Sequence, residues 1–146
     1  MVETEKEVEG KVRMSVIFAI FDEQGDIYLE KRRKPGDKYF GFTTVPGGHV
    51  EPFENTSGAL VREIDEEFGF KPKNGWTLLG SFDTKEDFGI ERRFVFLVKE
   101  KSENLKLEDN QLKTSLGEAW NLCKHPISQK ILSMVDGYLN PRTNLL

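Results

Sequence analysis

Apolar positions change their spacing along the chain in a way that marks out its elements. Lys11 to Phe21 (KVRMSVIFAIF) is dense in β-branched and aromatic residues and predicts a strand. The polar DEQGD after it carries Gly25 and fits a hairpin turn. Asp26 to Arg33 then returns as a second strand, ending in the basic run Lys31, Arg32, Arg33, Lys34. A loop with Pro35, Gly36 and Gly41 leads to TTVPGGHVE, a short strand running into Gly47 and Gly48. The spacing then switches to four. Leu60, Ile64 and Phe68 predict a helix over Asn55 to Phe68, with Asn55 as its N-cap and Gly69 as its stop. Two further strands follow, TLLGSF around Leu78 and RRFVFLVKE around Phe96, joined by TKEDFGIE, with Phe94 and Phe96 read as core. A charged loop from Lys101 to Asp109 precedes a segment around Trp120, and a last helix covers Pro126 to Leu139. Strands in hairpins, interrupted by one central helix and closed by another, predict an α/β (α+β type) fold, a mixed sheet flanked by helices.

Composition adjusts this picture little. A length of 146 residues fits one domain, 1–146, with Met1 to Gly10 as a flexible or edge-docked terminus. Apolar content of 37% and charged content of 32% are those of an ordinary soluble globular chain. The net charge of −4 argues against a non-specific nucleic-acid binder, and no DNA-binding module is evident. A local basic patch could still hold a small anion. The lone Cys123 forbids an intramolecular disulfide and, with no metal-ligand spacing around it, reads as a small buried hydrophobe. The acidic N-terminus is neither a signal nor a transit peptide, and no apolar run reaches the ~18 residues of a membrane span. These features predict a cytoplasmic protein without a membrane partner.

Charge within the central helix is harder to explain. GALVREIDEEFGF, Gly58 to Phe70, carries Glu63, Asp65, Glu66 and Glu67 beside Arg62. At about 100° per residue, Leu60, Ile64 and Phe68 form the core stripe, while Glu63, Glu66 and Glu67 share an adjacent arc and Asp65 points elsewhere. The Glu63–Glu67 repulsion costs about 0.2–0.5 kcal/mol. Carboxylates near a helix C-terminus are disfavoured by a further ~0.3–1 kcal/mol each. A divalent cation such as Mg²⁺ would relieve both, because hard cations take oxygen ligands. Solvated glutamate runs are also common on helices, so the composition alone leaves both readings open.

The residues upstream decide between them. Gly48, five residues, Glu54, seven residues, then Arg62-Glu63-Ile64-Asp65-Glu66-Glu67-Phe68-Gly69-Phe70 resembles the Nudix box at every defined position. The resemblance implies the Nudix fold, an α/β/α sandwich, and Mg²⁺-dependent hydrolysis (Mn²⁺ as a substitute) of a nucleoside diphosphate linked to another moiety. It makes Glu63 and Glu67 direct metal ligands, with Glu66 ligating directly or through water. The Gly48 carbonyl would complete the metal site, with Gly47 beside it as a further contact. Arg62 and Glu54 become the pair that fixes the helix on its loop. One departure is Phe53, where many family members carry glycine.

Water attack on phosphorus also requires a carboxylate to accept a proton. Glu66 and Glu63 are candidates, as are Glu108 or Asp109 in LKLEDNQ and Glu86 in TKEDF. Arg32 matches in position an arginine that contacts substrate in some nucleotide-hydrolysing relatives. Tyr39, Phe40, Phe42 and Trp120 could stack on a base. His49 follows the double glycine but, with no second histidine nearby, is not read as a ligand. The simplest substrate is a nucleoside triphosphate, cleaved to monophosphate and pyrophosphate. ADP-ribose, a nucleotide sugar or a dinucleoside polyphosphate are alternatives, acted on by a monomer or homodimer. A catalytically silent nucleotide-sensing domain would usually have lost box glutamates, and isoprenoid-diphosphate isomerases of this fold are longer and use an active-site cysteine.

Overall fold

The computed structural model describes residues 11–141, so the predicted behaviour of Met1 to Gly10 lies outside the described residues. Strand β1 (Lys11–Phe21) is the organising element. It pairs in parallel along its whole length with β6 (Gly89–Lys99), which turns back as a hairpin partner of β5 (Trp76–Glu86). On its other side β1 meets β2 (Ile27–Lys31) and β4 (Gly47–His49). The sheet runs β3-β2-β1-β6-β5, with β3 at Thr43–Thr44 and β7 (Gln111–Thr114) added against β2.

Apolar residues are continuous from Val16 to Phe21 because both faces of β1 are covered. Val16, Phe18 and Ile20 pack with Leu60, Ile64 and Phe68 of helix α1 (Thr56–Phe68). Ile17, Ala19 and Phe21 pack on the opposite side with Ala119 of α2 (Leu116–Leu122) and Ile131, Leu132 and Val135 of α3 (Pro126–Leu139). The result is the α/β/α sandwich, with successive β1 residues feeding alternate cores.

Helix α1 begins and ends at the predicted caps. Asn55 Oδ1 accepts from the Gly58 N–H at 2.7 Å, and Gly69 takes the left-handed conformation, φ 73°, that terminates helices. Elsewhere the boundaries move. The second strand ends at Lys31, because Arg32 N–H donates to Phe42 O and Gly41 N–H to Arg32 O, closing the basic loop on itself. TTVPGGHVE resolves into β3 and β4, so Gly47 and Gly48 are strand residues. Strand β7 has too few residues to stand out from its charged surroundings. Trp120 lies on α2 and packs against the core, which removes it as a base-stacking platform.

Candidate active site

Strand β4 and helix α1 meet at Gly48. Val16 of β1 fixes the register of Gly48, and the glycine's missing Cβ would point straight into the Glu63 carboxylate. Glycine is required here by close approach, since any side chain would collide with the glutamate. Gly47 faces the other way, towards Ile17.

Arg62 organises the surrounding charge. Its Nε and Nη2 grip both oxygens of Glu54 at 2.8 and 2.9 Å, Nη1 donates to Glu63 at 2.9 Å and Glu66 at 3.1 Å, and Nη2 also reaches the His49 carbonyl at 2.9 Å. One guanidinium thus ties the β4 end, the following loop and the helix together, using the planar fork that lysine lacks. The hydrogen bond from Arg62 holds the Glu54 carboxyl down at about 2. The loop itself is a tight turn in which Glu51 and Glu54 exchange backbone and side-chain hydrogen bonds. Phe53 occupies its left-handed position, φ 66°, fully exposed, and among the described residues no other non-glycine has a positive φ.

Glu67 receives no such help. Among the described residues its carboxylate makes no hydrogen bond or ion pair; burial pushes its pKa up, and the Glu63 charge adds to that. Burial also raises Glu63, against the pull of Arg62. Glu30 of β2 faces the same region, 6% exposed. Burial and then the Glu67 charge push Glu30 up to about 7, and its nearest cation, Arg32, stands 4.0 Å away. A charged residue after the apolar IYL of β2 is the sequence signal that could have marked it.

Carboxylates raised in pKa by burial and by one another, beside a backbone with no Cβ in the way, fit a hard divalent cation. Glu63, Glu66, Glu67 and the Gly48 carbonyl are the donors that would hold it. No three Asp, Glu, His or Cys side chains are gathered closely enough to do so among the described residues. Arg62 accounts for this, since it draws Glu63 and Glu66 to itself and leaves Glu67 apart. Gln111 links the helix to the next loop: its Nε2 donates to Glu67 O at 2.9 Å and its Oε1 accepts from Glu108 N–H at 2.8 Å. Glu108 is thereby brought beside Glu67, whereas Asp109 is a plain exposed loop charge. Glu86 is committed elsewhere. Burial opposes its charge, but hydrogen bonds from Lys38 and Thr84 keep its pKa low, and Arg93 lies 3.5 Å away, which excludes it as a free base.

A cavity of about 100 Å³ opens on the opposite sheet face, between β1 and the start of α3, with Gly47 and Gly48 on its rim. Arg32 lines it, held by Asp37 at 2.8 Å, together with Tyr39, Arg93 and His125. The His125 ring meets Tyr39 and Phe42 edge-on at 5.0 and 5.1 Å, and burial lowers its pKa. Phe40 is mostly exposed. Arg93 and His125 are distant in sequence from the glycines, and no spacing rule could have connected them. The His49 imidazole turns towards the buried Glu91, Nδ1 to Oε2 3.5 Å. Cys123 is fully buried in the core, its thiol pushed up to about 11 by burial, so it cannot serve as an isomerase nucleophile.

Comparison with known proteins agrees with this geometry. Residues 11–125 match the family model described as NUDIX domain. The mouse diphosphoinositol polyphosphate phosphohydrolase 3-alpha is 48% identical over 54 residues, 37% of this chain and 32% of that protein. The chain therefore spans about a third of the length of this curated relative. Among solved structures, the MutT protein from Methanosarcina mazei Go1 superposes with a TM-score of 0.75 at 22% identity, covering 90% of this chain and 98% of its own. The E. coli ORF135 protein gives 0.74 at 24%, covering 93% and 96%. Among the described residues no helix is long and apolar enough to cross a membrane.

Proposed function

The chain belongs to the NUDIX family, and on that premise we propose that it is a Mg²⁺-dependent hydrolase of a nucleoside diphosphate linked to another moiety, most simply a nucleoside triphosphate. The observation that supports this reading best is the position of Gly48. It touches the Glu63 carboxylate on one side and borders the cavity on the other. A phosphate chain passing Gly48 would leave its organic group in the cavity and its reacting phosphorus at the helix.

Water attacks that phosphorus, one P–O bond of the anhydride breaks, and monophosphate and pyrophosphate separate. Glu63, Glu66, Glu67 and the Gly48 carbonyl would hold Mg²⁺, which when bound would supply charge neutralisation and a lowered pKa for water. Glu108 receives the water's proton, because Glu63 and Glu66 are both engaged by hydrogen bonds from Arg62. Arg32 neutralises the phosphate chain, and Gly47 and Phe42 border the substrate. The diphosphoinositol relative suggests a second reading, a pyrophosphorylated inositol. Such a polyanion needs more cations than the two that line this cavity, Arg32 and Arg93.

A substrate panel with Mg²⁺ and Mn²⁺, containing nucleoside triphosphates, ADP-ribose, nucleotide sugars, dinucleoside polyphosphates and an inositol pyrophosphate, tests this reading. Glu67→Gln should lower turnover by at least about a hundredfold and weaken Mn²⁺ binding followed by electron paramagnetic resonance, with the melting temperature retained. Near-normal turnover in that variant would sink the metal assignment. Tight nucleotide binding without product in the wild type would show a silent sensing domain.

A further inference from the structure

Glu30 is a buried charge that the mechanism above leaves unused. Its side chain on β2 is 8% exposed, and among the described residues its carboxylate makes no hydrogen bond. Arg32, its nearest cation, is 4.0 Å away and is itself paired with Asp37 at 2.8 Å. A buried carboxylate without a partner is costly, and such a group calls for something that arrives to pair with it.

Strand registers fix where this carboxylate points. Alternate residues of a strand share a face, so Glu30 lies on the side of Tyr28, whose ring meets Phe68 of α1 edge-on at 6.3 Å. Gln111 of β7 stands directly opposite Glu30 in the antiparallel pair, which puts both side chains on that same face. The Gln111 side chain donates to the Glu67 carbonyl at 2.9 Å. Glu30 therefore looks from the strand side at the last turn of α1, where Glu67 is. Of the charges around Glu30 that of Glu67 acts most strongly, ahead of Arg32, Asp37 and Glu63.

Two carboxylates without hydrogen-bond partners thus face one another, one from the sheet and one from the helix. Like charges repel, so only a proton or a cation brings them together. A divalent cation displaces the proton, because its ligands must be deprotonated. Glu63 lies one turn from Glu67 on the same helix face, so an ion held by the box glutamates has Glu30 on its strand side.

We propose that Glu30 is a further ligand of the divalent cation, shared with Glu67, so that β2 contributes to a site the box motif describes only in part. This rests on the hydrolase reading above and adds one donor to Glu63, Glu66, Glu67 and the Gly48 carbonyl. Mg²⁺ takes oxygen ligands in octahedral geometry and has room for it. Affinity rises with the number of charged ligands, so the strand carboxylate helps the protein hold its ion before substrate arrives.

Titration of the substrate-free full chain with Mn²⁺, followed by electron paramagnetic resonance, tests this. Glu30→Gln and Glu30→Met, the second with no hard oxygen donor, should each weaken Mn²⁺ binding by at least about tenfold. Europium(III) luminescence lifetimes in H₂O and D₂O count the waters on a bound ion, and should find about one more in Glu30→Met than in wild type. Mn²⁺ should also raise the melting temperature of the wild type more than that of either variant. A residue that only shapes the fold would change stability in EDTA and leave the ion's affinity and hydration alone. Wild-type Mn²⁺ affinity in both variants overturns the assignment and makes Glu30 a protonated strand residue, with the hydrolase reading intact. Weaker binding with an unchanged water count shows an effect through space and also overturns ligation. Absence of both Mn²⁺ binding and Mg²⁺-dependent turnover in the wild type overturns the hydrolase reading as well.

Discussion

Replacing Gly48 with alanine places a methyl group where the Glu63 carboxylate now lies. Three contributions set the result. Gly48 has ordinary strand φ, so alanine fits the backbone and should stabilise by about 0.4–1 kcal/mol through the unfolded chain. Glu63 must swing away and gives up its 2.9 Å hydrogen bond from Arg62, a charged bond worth about 1.5–3 kcal/mol when buried. The Glu63 side chain is 13% exposed and can turn towards water, which puts the loss at the lower end of that range. Arg62 meanwhile keeps Glu54, Glu66 and the His49 carbonyl. The net destabilisation is therefore about 1 kcal/mol, or roughly 2–5 °C in melting temperature for a chain of this size. Activity should respond quite differently. A misplacement of about 1 Å in a catalytic group lowers turnover by about a hundredfold, so Gly48→Ala should be a folded, nearly inactive protein. Differential scanning calorimetry and steady-state hydrolysis of the preferred triphosphate, run on one preparation, check both halves. Wild-type turnover in the alanine variant would refute the placement of Glu63 in the site. A fall of more than about 10 °C would show that the strand, not the carboxylate, needs the glycine.

Two other substitutions test separate parts of the reasoning. Phe53→Gly relieves a left-handed conformation that disfavours an ordinary residue by about 1–2 kcal/mol, against about 0.5–1 kcal/mol of extra glycine entropy. Since Phe53 is fully exposed and buries nothing, the variant should melt about 1–4 °C higher, and a lower melting temperature would mean the ring has a contact that the fold does not explain. Glu30→Gln addresses pH. The folded Glu30 carboxyl, raised from 4.5 to about 7, holds its proton where the unfolded chain has lost it, so stability falls as pH rises through that window. In EDTA, the glutamine variant should match wild type below pH 4.5 and exceed it by about 3 kcal/mol above pH 7. Parallel stability curves by urea denaturation across that range would remove Glu30 from the buried charge cluster.

Local rules carried most of the fold. The four-residue spacing of Leu60, Ile64 and Phe68 placed α1, and Asn55 and Gly69 cap it as their chemistry demands. Strand β1 was legible because a sheet covered on both faces needs an unbroken apolar run. Strand β7 was not, because Gln111 to Thr114 gains its identity from pairing with β2, a contact between distant segments. Trp120 misled for a related reason, since an aromatic residue near a charged loop looks available until the core it fills is known. The box motif picked out Gly48, Glu54, Arg62 and the helix glutamates, and the fold brings Gly48 against Glu63 and ties Glu54, Glu63 and Glu66 to Arg62. Arg93, His125 and Ser15 reach the cavity through the β1–β6 pairing and the start of α3, which leave no trace at constant separation. Glu30 lay between these cases, conspicuous as a charge in a buried strand yet silent about what it faces.

The alternation along β1 has a consequence for how such a protein can diversify. Even-numbered residues from Val16 to Ile20 pack under the helix that bears the glutamates, and odd-numbered ones join the opposite core, where Ser15 and Ile17 line the cavity. Selection can therefore revise one parity of a single strand and leave the other alone. New ligands can be explored at positions 15 and 17 while Val16 and Phe18, their immediate neighbours in the chain, keep the glutamate helix in place.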